Sequence, residues 1–144
     1  MGEGPLAGEV RELARSAGVE DHVRLVGPRG DVPALLRAAD VFVFPSLWEG
    51  AAGALVEATT LGVPIVTTDI PPHREILDPR LSVLVAPRDP DALAHGLLRV
   101  LRDPRGARAR AGEQGVKVRA GHDIVANTRL LEATYRRFLA ERPV

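Results

Sequence analysis

Short apolar runs alternate with amphipathic stretches along this chain. Leu6, Val10, Leu13, Ala14 and Ala17 recur at helical spacing, which predicts a helix over Leu6–Ala17 that Gly18 terminates. His22–Val26 reads as a strand. Asp31 is a suitable N-cap, and Pro33 fits the first turn of a helix to Ala39. Val41–Phe44 is a continuous apolar strand stopped by Pro45, followed by a helix from about Ala52 to Leu61 that Gly62 closes. Pro64–Thr67 is the next strand, His73–Leu77 a short helix, and Ser82–Val85 the last strand. Asp89-Pro90 opens a helix through Leu101, and two more follow over about Pro104–Arg119 and Asp123–Leu139. Strands and helices alternating through short connections predict an α/β fold, a Rossmann-like parallel sheet with helices on both faces. The runs 41–44 and 64–67 lack polar alternation, as strands covered on both faces should.

Composition narrows the function classes. The chain has 144 residues, the size of one domain, and 45% are hydrophobic, mostly aliphatic, with only 3% aromatic. Nineteen basic and 19 acidic side chains balance to a net charge of zero. Nucleic-acid binders and membrane-surface binders usually carry a one-signed basic field, so neither class is expected. There are no cysteines, which excludes disulfides and thiolate metal sites and is compatible with a reducing compartment. No apolar run approaches the roughly 20 residues of a membrane helix. The four histidines, His22, His73, His95 and His122, show no metal-ligand spacing. His73 and His122 are expected at the surface or in loops, and Trp48 packed against its turn.

In parallel sheets, ligands bind beyond the carboxyl ends of the strands. The turn after Phe44 runs Pro45-Ser46-Leu47-Trp48-Glu49-Gly50-Ala51-Ala52-Gly53-Ala54-Leu55-Val56-Glu57. Its backbone is small and glycine-containing, so a ligand can approach closely. It opens a helix, whose free N–H groups and partial positive charge favour phosphate. Glu49 and Glu57 bracket that helix start, and carboxylates accept hydrogen bonds from vicinal sugar hydroxyls. A phosphate between two carboxylates matches the layout of a nucleotide-sugar. A Glu in the first helical turns is, on the other hand, often only a dipole or capping residue.

Seven landmarks in order resemble the C-terminal domain of the retaining glycosyltransferases of family four, the glycosyl transferases group 1 of the GT-B fold. They are Gly2-Glu3-Gly4-Pro5-Leu6, Val23-Arg24-Leu25-Val26-Gly27, the stretch from Val32 through Ser46, the Glu49/Glu57 pair with seven residues between, Leu61-Gly62-Val63-Pro64-Ile65-Val66, Arg74-Glu75-Ile76-Leu77 and Val85-Ala86-Pro87-Arg88-Asp89. The resemblance covers nearly the whole chain. It implies a nucleotide-sugar-binding domain over residues 1–144, with a UDP- or GDP-sugar as substrate and no tightly bound metal or cofactor. Glu49 would hold the donor sugar as the catalytic-site carboxylate. Gly50, Ala51, Ala52 and Gly53 would offer backbone N–H groups to the distal phosphate and sugar. Leu55 would line the diphosphate-ribose path, Glu57 would bind the ribose, and Gly27 would lie near the base.

The chain also departs from the family pattern. Ala51-Ala52 replaces Phe-Gly, Pro71-Pro72 stands where a Gly-Gly pair is usual, and the glycine before the last strand is absent from Asp78-Pro79-Arg80-Leu81-Ser82. The two prolines remove two N–H donors, which implies fewer donor contacts on that side or a different sugar preference. Against the family's domain, this chain is expected to lack the first two strands, their diphosphate-neutralising Arg and Lys, and the N-terminal acceptor domain. The Val41–Phe44 edge would then be uncovered. It would be filled by Val23–Gly27, by a partner chain or by self-association. The expected role is the donor half of a cytoplasmic hexosyltransferase, peripheral to the membrane in its full-length parent. The isolated chain is expected to be inactive. The alternatives are a non-catalytic nucleotide-sugar module and one subunit of a split enzyme. The last helix carries an apolar stripe of Leu130, Leu131, Thr134, Tyr135 and Phe138.

Overall fold

The spaced apolar positions near the start form helix α1 (Ala7–Ser16), which turns Ala14 inward. Gly18 follows at φ +68°, the left-handed geometry that ends helices cheaply only at glycine. The computed structural model describes residues 4–140, so Gly2 and Glu3 of the first landmark lie outside the described residues. The chain divides into two units, residues 1–35 and 36–144. In the first unit, a 3₁₀ turn at Glu20–His22 replaces the start of the expected strand. Val23–Val26 joins no sheet. A strand needs a ladder partner, and here Val23, Leu25 and Val26 remain about two-fifths exposed. The carboxylate of Asp31, read as an N-cap, accepts two hydrogen bonds from Arg29 at 2.6 Å each instead. Helix α2 (Val32–Ala38) carries the chain into the second unit.

The second unit is built on three parallel strands, β1 (Phe42–Phe44), β2 (Ile65–Thr68) and β3 (Val83–Val85), in the order β1-β2-β3. Phe42 pairs with Ile65 and Val66 with Val83. All four residues of β2 are buried. Successive side chains on a strand point to opposite faces, so both faces of the sheet are covered at β2. Helix α3 (Gly53–Thr60) links β1 to β2, and helix α4 (Pro71–Ile76) links β2 to β3. Pro71 and Pro72 therefore open a helix rather than form a free turn. Their missing N–H groups would have had no intrahelical acceptor in any case. Among the described residues β1 pairs only with β2.

Helices α5 (Pro90–Arg102) and α6 (Pro104–Gly121) close the core. Val66, Val100 and Ala107 form its centre, with Val83, Val85, Leu93 and Leu97 packed against them. Gly96 lets α5 approach the sheet, because a Cβ there would sit 3.1 Å from methyls of Val66, Val83 and Val85. Gly115 lets α6 approach the end of α3, where a Cβ would lie 2.7 Å from the Thr59 carbonyl oxygen. Gln114 is buried but satisfied, accepting from Asp78 N–H and donating to the Ile76 carbonyl. Helix α7 (Ile124–Ala140) has no buried residue, and its Ile124, Leu130, Leu131, Tyr135, Phe138 and Leu139 are all more than half exposed.

Asp78 ties α6 to the α4–β3 loop and gives the fold an acid limb. Its carboxylate accepts from the Arg80 guanidinium at 2.7 and 3.0 Å, from the Arg80 backbone N–H at 2.9 Å and from Lys117 at 3.3 Å. The Arg80 side chain, then its N–H, hold the Asp78 carboxyl well below the usual carboxylate range, against the opposing effect of burial. A carboxyl depressed on folding stabilises above its unfolded value of about 3.9 and loses that stability as pH falls through the folded value. Urea unfolding of the wild type should therefore hold steady above about pH 5 and weaken below about pH 4. Asp78→Asn should be less stable on the plateau and show a shallower acid decline.

Candidate functional site

The site follows from how α3 begins. Asp89 caps α5 by accepting from Ala92 N–H, and Asp103 caps α6 by accepting from Gly106 N–H. Helix α3 has no such cap. Its N-cap is Ala52, with no side-chain hydrogen bond to the first turn. Leu55 and Val56 N–H groups both bond to the Ala52 carbonyl, and Gly53 N–H turns back to the Ala51 carbonyl at 2.8 Å. The N–H groups of Gly50, Ala51, Ala52 and Ala54 have no partner among the described residues. An uncapped helix start with open N–H groups is a ready anion site.

Burial sorts the candidate residues by role. Ala52, Leu55, Ala58 and Thr59 are buried, so they are the face by which α3 is held. Gly53, Ala54 and Glu57 are exposed, with Ala54 and Glu57 one turn apart on one face. A Cβ built on Gly50 or Gly53 would meet nothing within 4 Å, so the space above both is open. Glu49 is half-buried and Glu57 exposed, and neither carboxylate has a hydrogen-bond or ion-pair partner among the described residues. The two carboxylates are thus placed on either side of the α3 start in sequence, and neither is spent on a structural contact.

Two expectations need correction here. Leu55 is fully buried, so its side chain is core and lines no open path. Gly53 N–H is already used by Ala51, while Ala54 N–H is open. Sequence reasoning missed Ala54 because the helix starts one residue later than its pattern suggested. Gly27 lies in the first unit at φ +61°, with open space where a Cβ would project.

The loop leading to Glu49 is tied to the end of β2 by side chains. Thr67 donates its hydroxyl to the Phe44 carbonyl at 2.6 Å, and Thr68 donates to the Ser46 carbonyl. Behind them sits His73, which is fully buried, not at the surface as expected. Its Nδ1 lies 2.8 Å from the Thr68 carbonyl and 2.9 Å from Thr67 Oγ1. Its ring centroid is 5.5 Å from that of Phe44. Nε2 is buried with no partner among the described residues, an arrangement that typically costs about 1–3 kcal/mol. Trp48 is 83% exposed rather than packed on its turn.

A cleft of about 360 Å³ opens beyond the carboxyl ends of the strands, where this architecture binds ligands. Pro45, Leu47, Thr68, Val85, Arg88 and Leu93 are among its walls. Arg88 has φ +60°, a left-handed geometry uncommon outside glycine. Among the described residues no cluster of His, Asp or Glu could hold a metal ion, and no helix is long and apolar enough to cross a membrane.

Comparison with known proteins agrees with this architecture. Over 105 residues the chain is 31% identical to the UDP-Gal:alpha-D-GlcNAc-diphosphoundecaprenol alpha-1,3-galactosyltransferase of Escherichia coli, covering 72% of this chain and 27% of that protein. It is 31% identical over 119 residues to the 2-deoxystreptamine glucosyltransferase of Streptomyces kanamyceticus, covering 79% of this chain and 31% of that one. A solved sucrose-phosphate synthase from Thermosynechococcus elongatus superposes with a TM-score of 0.88 at 25% identity, over 98% of this chain and 38% of the other. The chain therefore spans less than two-fifths of the length of these relatives. The sequence pattern of the family described as glycosyl transferases group 1 matches residues 1–118, and the chain belongs to that family.

Proposed function

We propose that this chain is the donor-binding part of a glycosyltransferase that takes a nucleoside-diphosphate sugar and passes the sugar on with retention of configuration. The observation that carries the reading is the bare start of α3. Four N–H groups, at Gly50, Ala51, Ala52 and Ala54, stand without partners there, between two unpaired carboxylates. The N–H groups and the positive end of α3 suit the distal phosphate. Glu49 would accept from hydroxyls of the sugar and Glu57 from those of the ribose. The E. coli relative, whose name specifies a UDP-linked sugar, supports UDP over GDP as the nucleotide.

The arrangement would act on the leaving group. As the bond between the anomeric carbon and phosphate oxygen breaks, negative charge accumulates on the diphosphate. Fixed N–H donors then bind the transition state more strongly than the ground state. Glu49 has no proton-transfer role in this reading. It orients the sugar so that the anomeric carbon meets its acceptor. The acceptor side of the reaction is assigned to a second domain, in the same polypeptide or in a partner chain. The cysteine-free sequence fits a reducing compartment, and we assign the work to the cytoplasm.

Calorimetry with two ligands separates the two carboxylates. Glu49→Ala should weaken UDP-glucose binding by about tenfold while leaving UDP binding within about threefold, because Glu49 touches only the sugar. Equal loss of both ligands, or loss of neither, would contradict the assignment. The chain by itself should bind donor without turning it over.

A further inference from the structure

We propose that His73 is the positioning residue of the donor loop, acting through the two threonine hydroxyls at the end of β2. The inference rests on the donor-site reading above and adds to it a residue that touches no ligand. The Thr68 carbonyl can only accept, so the proton between it and Nδ1 belongs to His73. The Thr67 hydroxyl spends its own proton on the Phe44 carbonyl, so toward Nδ1 at 2.9 Å it can only accept as well. His73 Nδ1–H is therefore shared by the Thr68 carbonyl and the Thr67 hydroxyl. Thr68 in turn donates to the Ser46 carbonyl. One imidazole N–H thus fixes the residues that hold Phe44 and Ser46, and Glu49 follows three residues after Ser46.

The unpartnered half of the ring points the same way. Nε2 is sealed off with no hydrogen-bond partner among the described residues. A leucine would fill a comparable space without burying an unpaired nitrogen. An imidazole in a fully buried position is accounted for by what its other nitrogen does, and what that nitrogen holds is the base of the Glu49 loop. The side chain is also clamped by Phe44 at 5.5 Å, so the donor has a fixed direction. Small errors at such a base are magnified at the ligand, where geometry decides binding and transfer.

The test compares His73→Asn with His73→Leu in the full 144-residue chain. Asparagine keeps an N–H at the δ position but leaves a cavity; leucine fills the space but has no donor. A purely packing role makes the leucine variant the better one in both stability and ligand binding. A positioning role splits the two readouts. His73→Leu should weaken UDP binding by about tenfold, with the Ser46 to Ala52 amide resonances shifted, while His73→Asn binds within about threefold of wild type although it is the less stable protein. UDP affinity is read by NMR titration at a temperature where both variants are folded. If His73→Leu does not fold, Thr67→Val removes the hydroxyl relay at nearly constant volume and should weaken UDP binding similarly. In the wild type, a long-range proton–nitrogen spectrum should show the proton on Nδ1. Wild-type affinity in His73→Leu, or an unprotonated Nδ1, overturns the positioning role and leaves the donor site standing. Absence of UDP binding in the wild type, or UDP shifts that bypass residues 49 to 57, overturns both.

Discussion

Leu55→Ala should cost about 2–5 kcal/mol of folding stability, the largest loss we expect from a single truncation near the site. Leu55 is wholly buried and anchors α3 through the same face as Ala52, Ala58 and Thr59. Removing its isobutyl group forfeits the transfer energy of the lost carbons. It also leaves a hole that neighbouring backbone cannot readily fill, since Gly115 already brings α6 close to the end of α3. Domains of this size hold about 5–15 kcal/mol in all, so the variant should melt well below wild type. Urea unfolding with a matched m-value would register the loss as a lower midpoint. Nucleotide binding should fall only as far as the folded fraction falls. A Leu55→Ala chain as stable as wild type would mean that α3 is held by something other than its buried face.

Glu57→Ala should do the reverse. Glu57 is exposed and carries no hydrogen bond or ion pair among the described residues, so its loss should change stability by no more than about 0.5 kcal/mol. Hydrogen bonds to a charged group are each worth about 1.5–3 kcal/mol when their partner is bound. If Glu57 holds the ribose as proposed, its loss should weaken UDP binding by about tenfold or more at almost unchanged stability. The pairing of the two variants matters more than either one. The first separates α3 as a structural element, the second separates its outer face as a binding surface. A Glu57→Ala protein that binds UDP like wild type would assign the residue to solvent.

Much of the fold could be read from local signals. Gly18 and Gly62 were predicted as helix stops, and both adopt left-handed φ, +68° and +71°. Asp89 caps its helix as its place before Pro90 suggested. The three strands of the sheet appear where continuous apolar runs met turn residues. What failed was non-local. Val23–Val26 has the composition of a strand, but strand formation requires a neighbour, and composition cannot supply one. His73 seemed a surface residue because its partners, Thr67 and Thr68, sit on β2, and only the fold closes the ring onto them. Pro71-Pro72 read as a stiff turn, yet proline also suits the first positions of a helix, and the sequence alone does not choose. At the site itself, the uncapped start of α3 was legible in outline. The one-residue shift that frees Ala54 and occupies Gly53 depends on how the loop folds back at Ala51, which no local pattern encodes.

On the proposed reading, a nucleoside diphosphate sits on the amides at the start of α3. Backbone NMR of the chain titrated with UDP tests it most directly. Saturable shifts are expected at the amides of Gly50, Ala51, Ala52 and Ala54, accompanied by Glu57, with little change along α6 or α7. Shifts that cluster instead around the Arg88 cleft, or a spectrum unmoved at millimolar UDP, would contradict it.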